Sequence, residues 1–491
     1  MSIATASPNE PARRGESEPR ARRRTLIALS LAVLMPSLDT SIANVALPTM
    51  ARAFGATFQG VQWIVLAYLL AVTTLIVSAG SLGDRLGRRR LLLTGIAVFT
   101  VASLLCGVAT SLSLLVAARA LQGLGAALML SLAVAFAGEA VPDARRGSAM
   151  GLLGTMSAIG TTLGPALGGL LLGHAGWPVI FLVNVPIGIA TFVLAKGVLP
   201  AADARRNQDA RRFDVRGTVL LAATLAAYAL AMTVGHGALG RANAALLSLA
   251  VVGALLFARA MANGASPLVR LAMLREGKAG QGLAAIALVS TVMMATLVVG
   301  PFYLSRSLGL APSRVGLVMS VGPLVAAIAG IPAGRLVDRV GAAHMTTAGL
   351  VLLATGLVAL ALVPAYTGTA GYLVSMSVVT ASYALFQTAT ITAITAGAAS
   401  ERRGVVAGLL GLSRNVGLIT GASAMGAIFS AASSSADVAS APPSAVAAGM
   451  RITFLVASGI AVLALAVTRI GRDGTRAPAV PARPPDRCPS C

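Results

Sequence analysis

Apolar positions in this chain fall into long runs separated by short polar breaks. The runs lie near 25–47, 61–82, 91–110, 112–136, 149–173 and 178–199, then near 217–235 and 242–260. Six more lie near 279–303, 314–336, 344–364, 370–396, 404–430 and 449–469. Each is close to the roughly 20 residues that a helix needs to cross a hydrocarbon layer about 30 Å thick. The pattern predicts an all-α membrane protein with fourteen transmembrane helices. Two of the splits are narrow, resting on Ser111-Leu112-Ser113 and on His174-Ala175-Gly176-Trp177-Pro178.

Charge placement gives the chain a direction. Of 491 residues 56% are hydrophobic and 11% charged, against about 25% charged in a soluble domain. The net charge of +22 would suggest nucleic acid in a soluble chain; in a membrane protein it reflects Lys and Arg held in cytoplasmic connections, so no nucleic-acid partner is expected. With the N-terminus inside, the inner connections hold Arg85, Arg88–Arg90, Arg145, Arg146, Lys196, Arg205, Arg206, Arg211, Arg212 and Arg216 in the first part of the chain. The outer connections and helix ends hold only Arg52, Arg241, Arg306, Arg314 and Arg451. Both termini are therefore expected in the cytoplasm. Residues 1–24 and 471–491 read as disordered tails, with no cleavable signal segment ahead of the first helix.

An internal echo divides the chain. GSLGDRLG at 80–87 is matched by GRLVDRVG at 334–341, and RGSAMGLLG at 146–154 by RGVVAGLLG at 403–411. Both matches fall at the same place in a six-helix unit, a mark of transporters built from repeats. The predicted organisation is a six-helix bundle over 25–200, linkers and two inserted helices over 201–278, and a second six-helix bundle over 279–470.

Candidate chemistry is sparse. Asp39 is the only charge between Leu26 and Leu47, and an Asp at the centre of a membrane helix costs about 2.5–3.5 kcal/mol or more. It needs a partner or a wet cavity, either as a structural carboxylate or as a proton or cation site. Counting about 1.5 Å per residue, Asp39 lies about 12 Å below Leu47 and Arg119 about 10 Å below Leu112. The two opposite charges thus share a level, on the first and fourth helices. Asn44, Gln122, Tyr383, Gln387 and Asn415 are candidate polar groups of a substrate cavity, with Arg414 as a third intramembrane charge. So few charges and aromatics suit an amphiphilic small molecule.

Other chemistries lack their residues. Neither lysine, Lys196 or Lys278, sits in a nucleotide-binding loop. Only one buried carboxylate is available where an intramembrane aspartyl protease needs two. The histidines (His174, His236, His344) fall at helix ends, and Cys488 and Cys491 stand in the tail with no second pair, so no metal site is expected.

Three glycine-rich stretches complete the pattern. GSLGDRLGRRR at 80–90 carries Gly80, Gly83 and Gly87 for a tight turn, Asp84 for a helix end or an Arg, and Arg85 and Arg88–Arg90. Arg119 is followed by Gln122, Gly123 and Gly125, and the fifth helix carries Gly160, Gly164, Pro165, Gly168 and Gly169. Together with LDTSIANVALP at 38–48, Gln62-Trp63, Tyr68, Trp177 and FLVNVP at 181–186, they resemble the major facilitator superfamily. The closer resemblance is to its fourteen-helix drug:proton antiporters, the EmrB/QacA type; Ser41 stands where Thr is usual.

The resemblance implies two six-helix bundles rocking about a central cavity. It implies an inner conformational gate of Asp84, Arg88 and Glu139, and an antiporter motif at 160–169. The expected activity is export of hydrophobic or amphiphilic drugs across a bacterial plasma membrane. It would be driven by the proton gradient, coupled through Asp39 and Arg119, with no cofactor and as a monomer. The alternatives are a facilitator for one dedicated metabolite or nutrient and, remotely, an intramembrane enzyme.

Overall fold

The structure is a computed structural model that describes residues 10–139, 146–199, 214–234, 240–263, 278–396, 403–433, 438 and 441–473. Fourteen helices among them are long and apolar enough to cross a membrane. The first six are α1 (Glu10–Phe54), α2 (Phe58–Leu86), α3 (Arg88–Gly107), α4 (Leu112–Glu139), α5 (Arg146–Ala175) and α6 (Val179–Val198). The inserted pair is α7 (Val215–Thr233) and α8 (Arg241–Asn263). The last six are α9 (Lys278–Phe302), α10 (Pro312–Val340), α11 (Ala342–Leu362), α12 (Pro364–Ala396), α13 (Arg403–Thr420) and α14 (Pro443–Asp473). Single π turns extend α9 over Tyr303–Ser307 and α13 over Gly421–Met425.

One expectation changes at the N-terminus. Helix α1 begins at Glu10, inside the stretch expected to be a disordered tail. Extending a helix that is already nucleated is far easier than starting one, and Ala and Arg between 10 and 24 are good helix formers. The expected tails at 1–9 and 474–491 lie outside the described residues.

The sequence echo has a backbone counterpart. Gly87 ends α2 and Gly341 ends α10, each with φ of +92° and no atom within 4 Å of where a side chain would start. Dihedral angle, not space, keeps glycine at both turns. Helix packing repeats as well. A side-chain carbon on Gly160 would lie 2.7 Å from the Leu34 carbonyl, and one on Gly164 3.0 Å from that of Leu38, so α5 lies directly against α1. In the second half Gly417 and Gly421 press α13 against the Ala287 and Thr291 carbonyls of α9. Small residues let membrane helices approach at backbone distance, where dispersion and weak polar contacts replace the missing hydrophobic drive.

Helices α7 and α8 pack on each other and reach the first bundle through α2, where the Ser78 and Thr218 hydroxyls are 2.9 Å apart. Only 11% of the apolar window of α8 is buried, so the inserted pair stands at the periphery with one face toward lipid.

Candidate functional site

The glycine stripe on α5 decides where Asp39 points. It holds the face of α1 carrying Leu34, Leu38, Ser41 and Ile42, and a side-chain carbon on Gly164 would collide with Ser41 Cβ. Asp39 follows Leu38 by about 100° around the helix and is turned away from α5. The glycines after Arg119 do the same for its neighbours. A carbon on Gly123 would lie 2.5 Å from the Tyr68 carbonyl and one on Gly125 2.6 Å from the Phe99 nitrogen, so α2 and α3 close onto α4.

The result is a sealed polar cluster inside the first bundle. Arg119 Nη1 donates to Asp39 Oδ2 at 2.5 Å, with the two side chains 0% and 1% exposed. Arg119 Nε donates to the Ile64 carbonyl at 3.0 Å, and Nη1 also donates to Gln122 Oε1 at 2.5 Å. The other carboxylate oxygen, Asp39 Oδ1, accepts from Gln122 Nε2 and from Asn184 Nδ2, each at 2.9 Å. Gln122 Nε2 also donates to Ser103 Oγ at 2.8 Å. The guanidinium carbon sits 4.3 Å from the Tyr68 ring centroid and 5.6 Å from that of Phe181. Five helices therefore meet at one carboxylate–guanidinium pair.

Two desolvated charges are tolerable only when paired and hydrogen-bonded, and here the carboxylate has three donors. One guanidinium nitrogen, Nη2, and one amide oxygen, Asn184 Oδ1, have no protein partner. In this conformation nothing in the cluster is open to water.

The cluster takes one residue from its expected place and adds others. Gln122, expected to line a substrate cavity, is fully buried as a ligand of Asp39 and Arg119. Asn44 is also buried, 1% exposed, and its amide donates to the Thr40 carbonyl of its own helix at 2.9 Å, so it too is no cavity-lining group here. Asn184, Ser103 and the ring beneath Arg119 were not expected. An Asn inside the apolar run 178–199 is the one signal that could have found Asn184. Tyr383 and Gln387 are half-buried one turn apart on α12, Asn415 is half-buried on α13, and Arg414 is exposed. None of these four joins the cluster, and Arg414 has no carboxylate partner among the described residues.

Of the expected gate, Arg85 is exposed, Gly83 lies where a side chain would meet Leu132 at 2.7 Å, and Arg88 is the first residue of α3, directly after the turn at Gly87. Gly80 has open space around it, with Ser131 Oγ 4.0 Å away. The side chains of Asp84 and Glu139 lie outside the described residues.

At the end of the molecule where α1 meets α2, the two bundles are sealed together. Phe58 packs edge-on against Phe302 and Phe429, with centroids 4.8 and 5.3 Å away. Gln59 Nε2 donates to Ser430 Oγ at 2.5 Å, and Gln62 Nε2 to the Ala422 carbonyl at 2.8 Å. Ala422 lies in the π turn of α13. Across the same seam Gly169 of α5 comes within 2.7 Å of the Pro312 carbonyl by the position of its would-be side chain, and Gly316 abuts the Pro165 carbonyl.

Comparisons agree with this architecture. A family model described as Major Facilitator Superfamily matches residues 29–422 and 282–487. The chain is 34% identical over 410 residues to the multidrug resistance protein Stp of Mycobacterium tuberculosis, covering 83% of this chain and 76% of that one. It is 33% identical over 340 residues to the riboflavin transporter RibZ of Clostridioides difficile, covering 69% and 73%. A crystal structure of a bacterial homologue of the lysosomal transporter Spinster, inward-facing and occupied, shares the fold. Its TM-score is 0.64 at 17% identity, over 92% of this chain and 97% of that one.

Proposed function

Because the chain belongs to the major facilitator superfamily and is a multi-pass membrane transporter, not an enzyme, we propose that it exports hydrophobic or amphiphilic drugs in exchange for protons. The observation that carries this reading is the desolvated Asp39–Arg119 pair, held between helices of the first bundle by Gln122 and Asn184. The guanidinium offsets the carboxylate's charge only while α1 and α4 stay together, and an unpaired charge is costly in an apolar bundle. Movement that parts α1 from α4 therefore converts into proton uptake, and closure into proton release. The sealed end supports a conformation open toward the other side, where cargo would enter. The distribution of Arg makes that side the cytoplasm of a bacterial cell.

The cargo would meet apolar helix faces with a few polar groups, Tyr383, Gln387, Asn415 and Arg414 among them. Likeness to Stp supports a drug; likeness to RibZ supports a second reading, in which one metabolite such as a flavin is carried. Inside-out vesicles decide between them when internal pH is recorded as a panel of dyes, antibiotics and riboflavin is added. Dissipation of a preset gradient by several unrelated compounds supports drug export. Dissipation by riboflavin alone supports the second reading, and no dissipation by any compound removes the proton-exchange mechanism.

A further inference from the structure

The seam between the bundles holds a cavity of about 280 Å³ whose walls come from both halves. Thr49 and Arg52 line it from the end of α1, and Arg306, Gly309 and Pro312 from the turn between α9 and α10. No carboxylate lines it, and neither Arg52 nor Arg306 has an acidic partner among the described residues. Pro312 opens a 29-residue helix whose N-cap residue, Ala311, has no side chain able to receive the first amides. Two guanidiniums and the positive end of an uncapped helix dipole thus converge on one small space.

We propose that this cavity binds a phosphate-type oxyanion, either free inorganic phosphate or the phosphodiester of an anionic lipid headgroup, and that the anion clasps the sealed end shut. Arginine presents a planar fork to such oxygens, and backbone amides at a helix start add neutral donors. The volume falls just below the range of about 300–1,000 Å³ usual for drug-sized ligands, which suits a small anion and not the cargo. Because Arg52 belongs to one half and Arg306 to the other, the site exists only while the two are together. Without an anion the like charges oppose closure. A ligand that binds one conformation alone multiplies its population by 1 + [L]/Kd, or about tenfold at ten times Kd. The inference rests on two bundles moving against each other, not on what the cargo is, so failure of proton exchange would leave it standing.

The test uses the full chain in nanodiscs, with spin labels at Ser111→Cys and Tyr366→Cys, exposed positions at this end, one in each half. Cys488 and Cys491 are replaced by Ser. In zwitterionic lipid, sodium phosphate should enlarge the short-distance population relative to sodium chloride at equal ionic strength. R52Q and R306Q should lose the response, and R52K and R306K should keep it in part. A short distance already dominant in phosphatidylglycerol discs, with phosphate inert in both lipids, assigns the site to a headgroup. Identical distance distributions in chloride, phosphate and phosphatidylglycerol would overturn the proposal. So would an undiminished response in both Gln variants, each confirmed folded by gel filtration and melting.

Discussion

Removing the charge of Asp39 while leaving Arg119 in place should separate the energetic from the transporting role of the pair. Asp39 accepts three hydrogen bonds, from Arg119, Gln122 and Asn184, all of them buried. In Asp39→Asn one oxygen becomes an amide that can only donate, so it must face another donor, and Arg119 is left charged and unpaired. Breaking a buried pair on one side costs about 3–5 kcal/mol, two to three and a half powers of ten in a folding equilibrium. Asp39→Asn with Arg119→Gln removes both charges and keeps polar side chains able to pair with Gln122 and Asn184. Neutral replacements of buried pairs are often close to isoenergetic. The double variant should regain most of the melting temperature that the single variant loses, read by thermal unfolding in detergent. Proton-driven export, read as drug tolerance in cells and as uphill transport in proteoliposomes, should be absent from both. Recovery of uphill transport along with stability would reduce the pair to a structural fastener and refute the reasoning.

The glycine stripe predicts a graded response. Gly164→Ala, whose new carbon meets Ser41 and the Leu38 carbonyl, should lower both yield and melting temperature; Gly168→Ala, with 3.3 Å to Ile42 Cα, should cost much less by the same measurements. Asn184→Ala removes one donor from Asp39 and should destabilise by about 1–3 kcal/mol, read by thermal unfolding in detergent. Gly316→Ala places a carbon against the Pro165 carbonyl across the seam and should lengthen label distances at the sealed end without lowering the yield of folded protein.

Much of the fold was legible because membrane solvation leaves few solutions. Helix number, the six-two-six division and the two-fold echo follow from run length and repeated motifs, and the matched turns at Gly87 and Gly341 are their direct consequence. Asp39 and Arg119 stood out because charges are rare in hydrocarbon, and equal depth brought them together on paper as they are in the fold. The direction each helix face takes was harder to read. Gln122 was assigned to a cavity because a Gln in a span must find polar company, and sequence cannot say whether that company is substrate or a neighbouring carboxylate. Asn184 reaches Asp39, and Ser103 reaches Gln122, only after the glycines of α4 and α5 have set the helix spacing, a packing effect that no single run displays. Helix α1 starts ahead of its apolar run, since charge pattern marks where a helix leaves the membrane and not where it ends.

The most direct measurement is proton release on cargo binding. Purified protein in weakly buffered detergent, with a pH-indicating dye, is mixed with the compound that proved most active in the vesicle panel. The account predicts that the wild-type protein releases protons when it binds, and that the Asp39→Asn, Arg119→Gln double variant binds the same compound and releases none. Equal release from both proteins would show that the proton resides elsewhere.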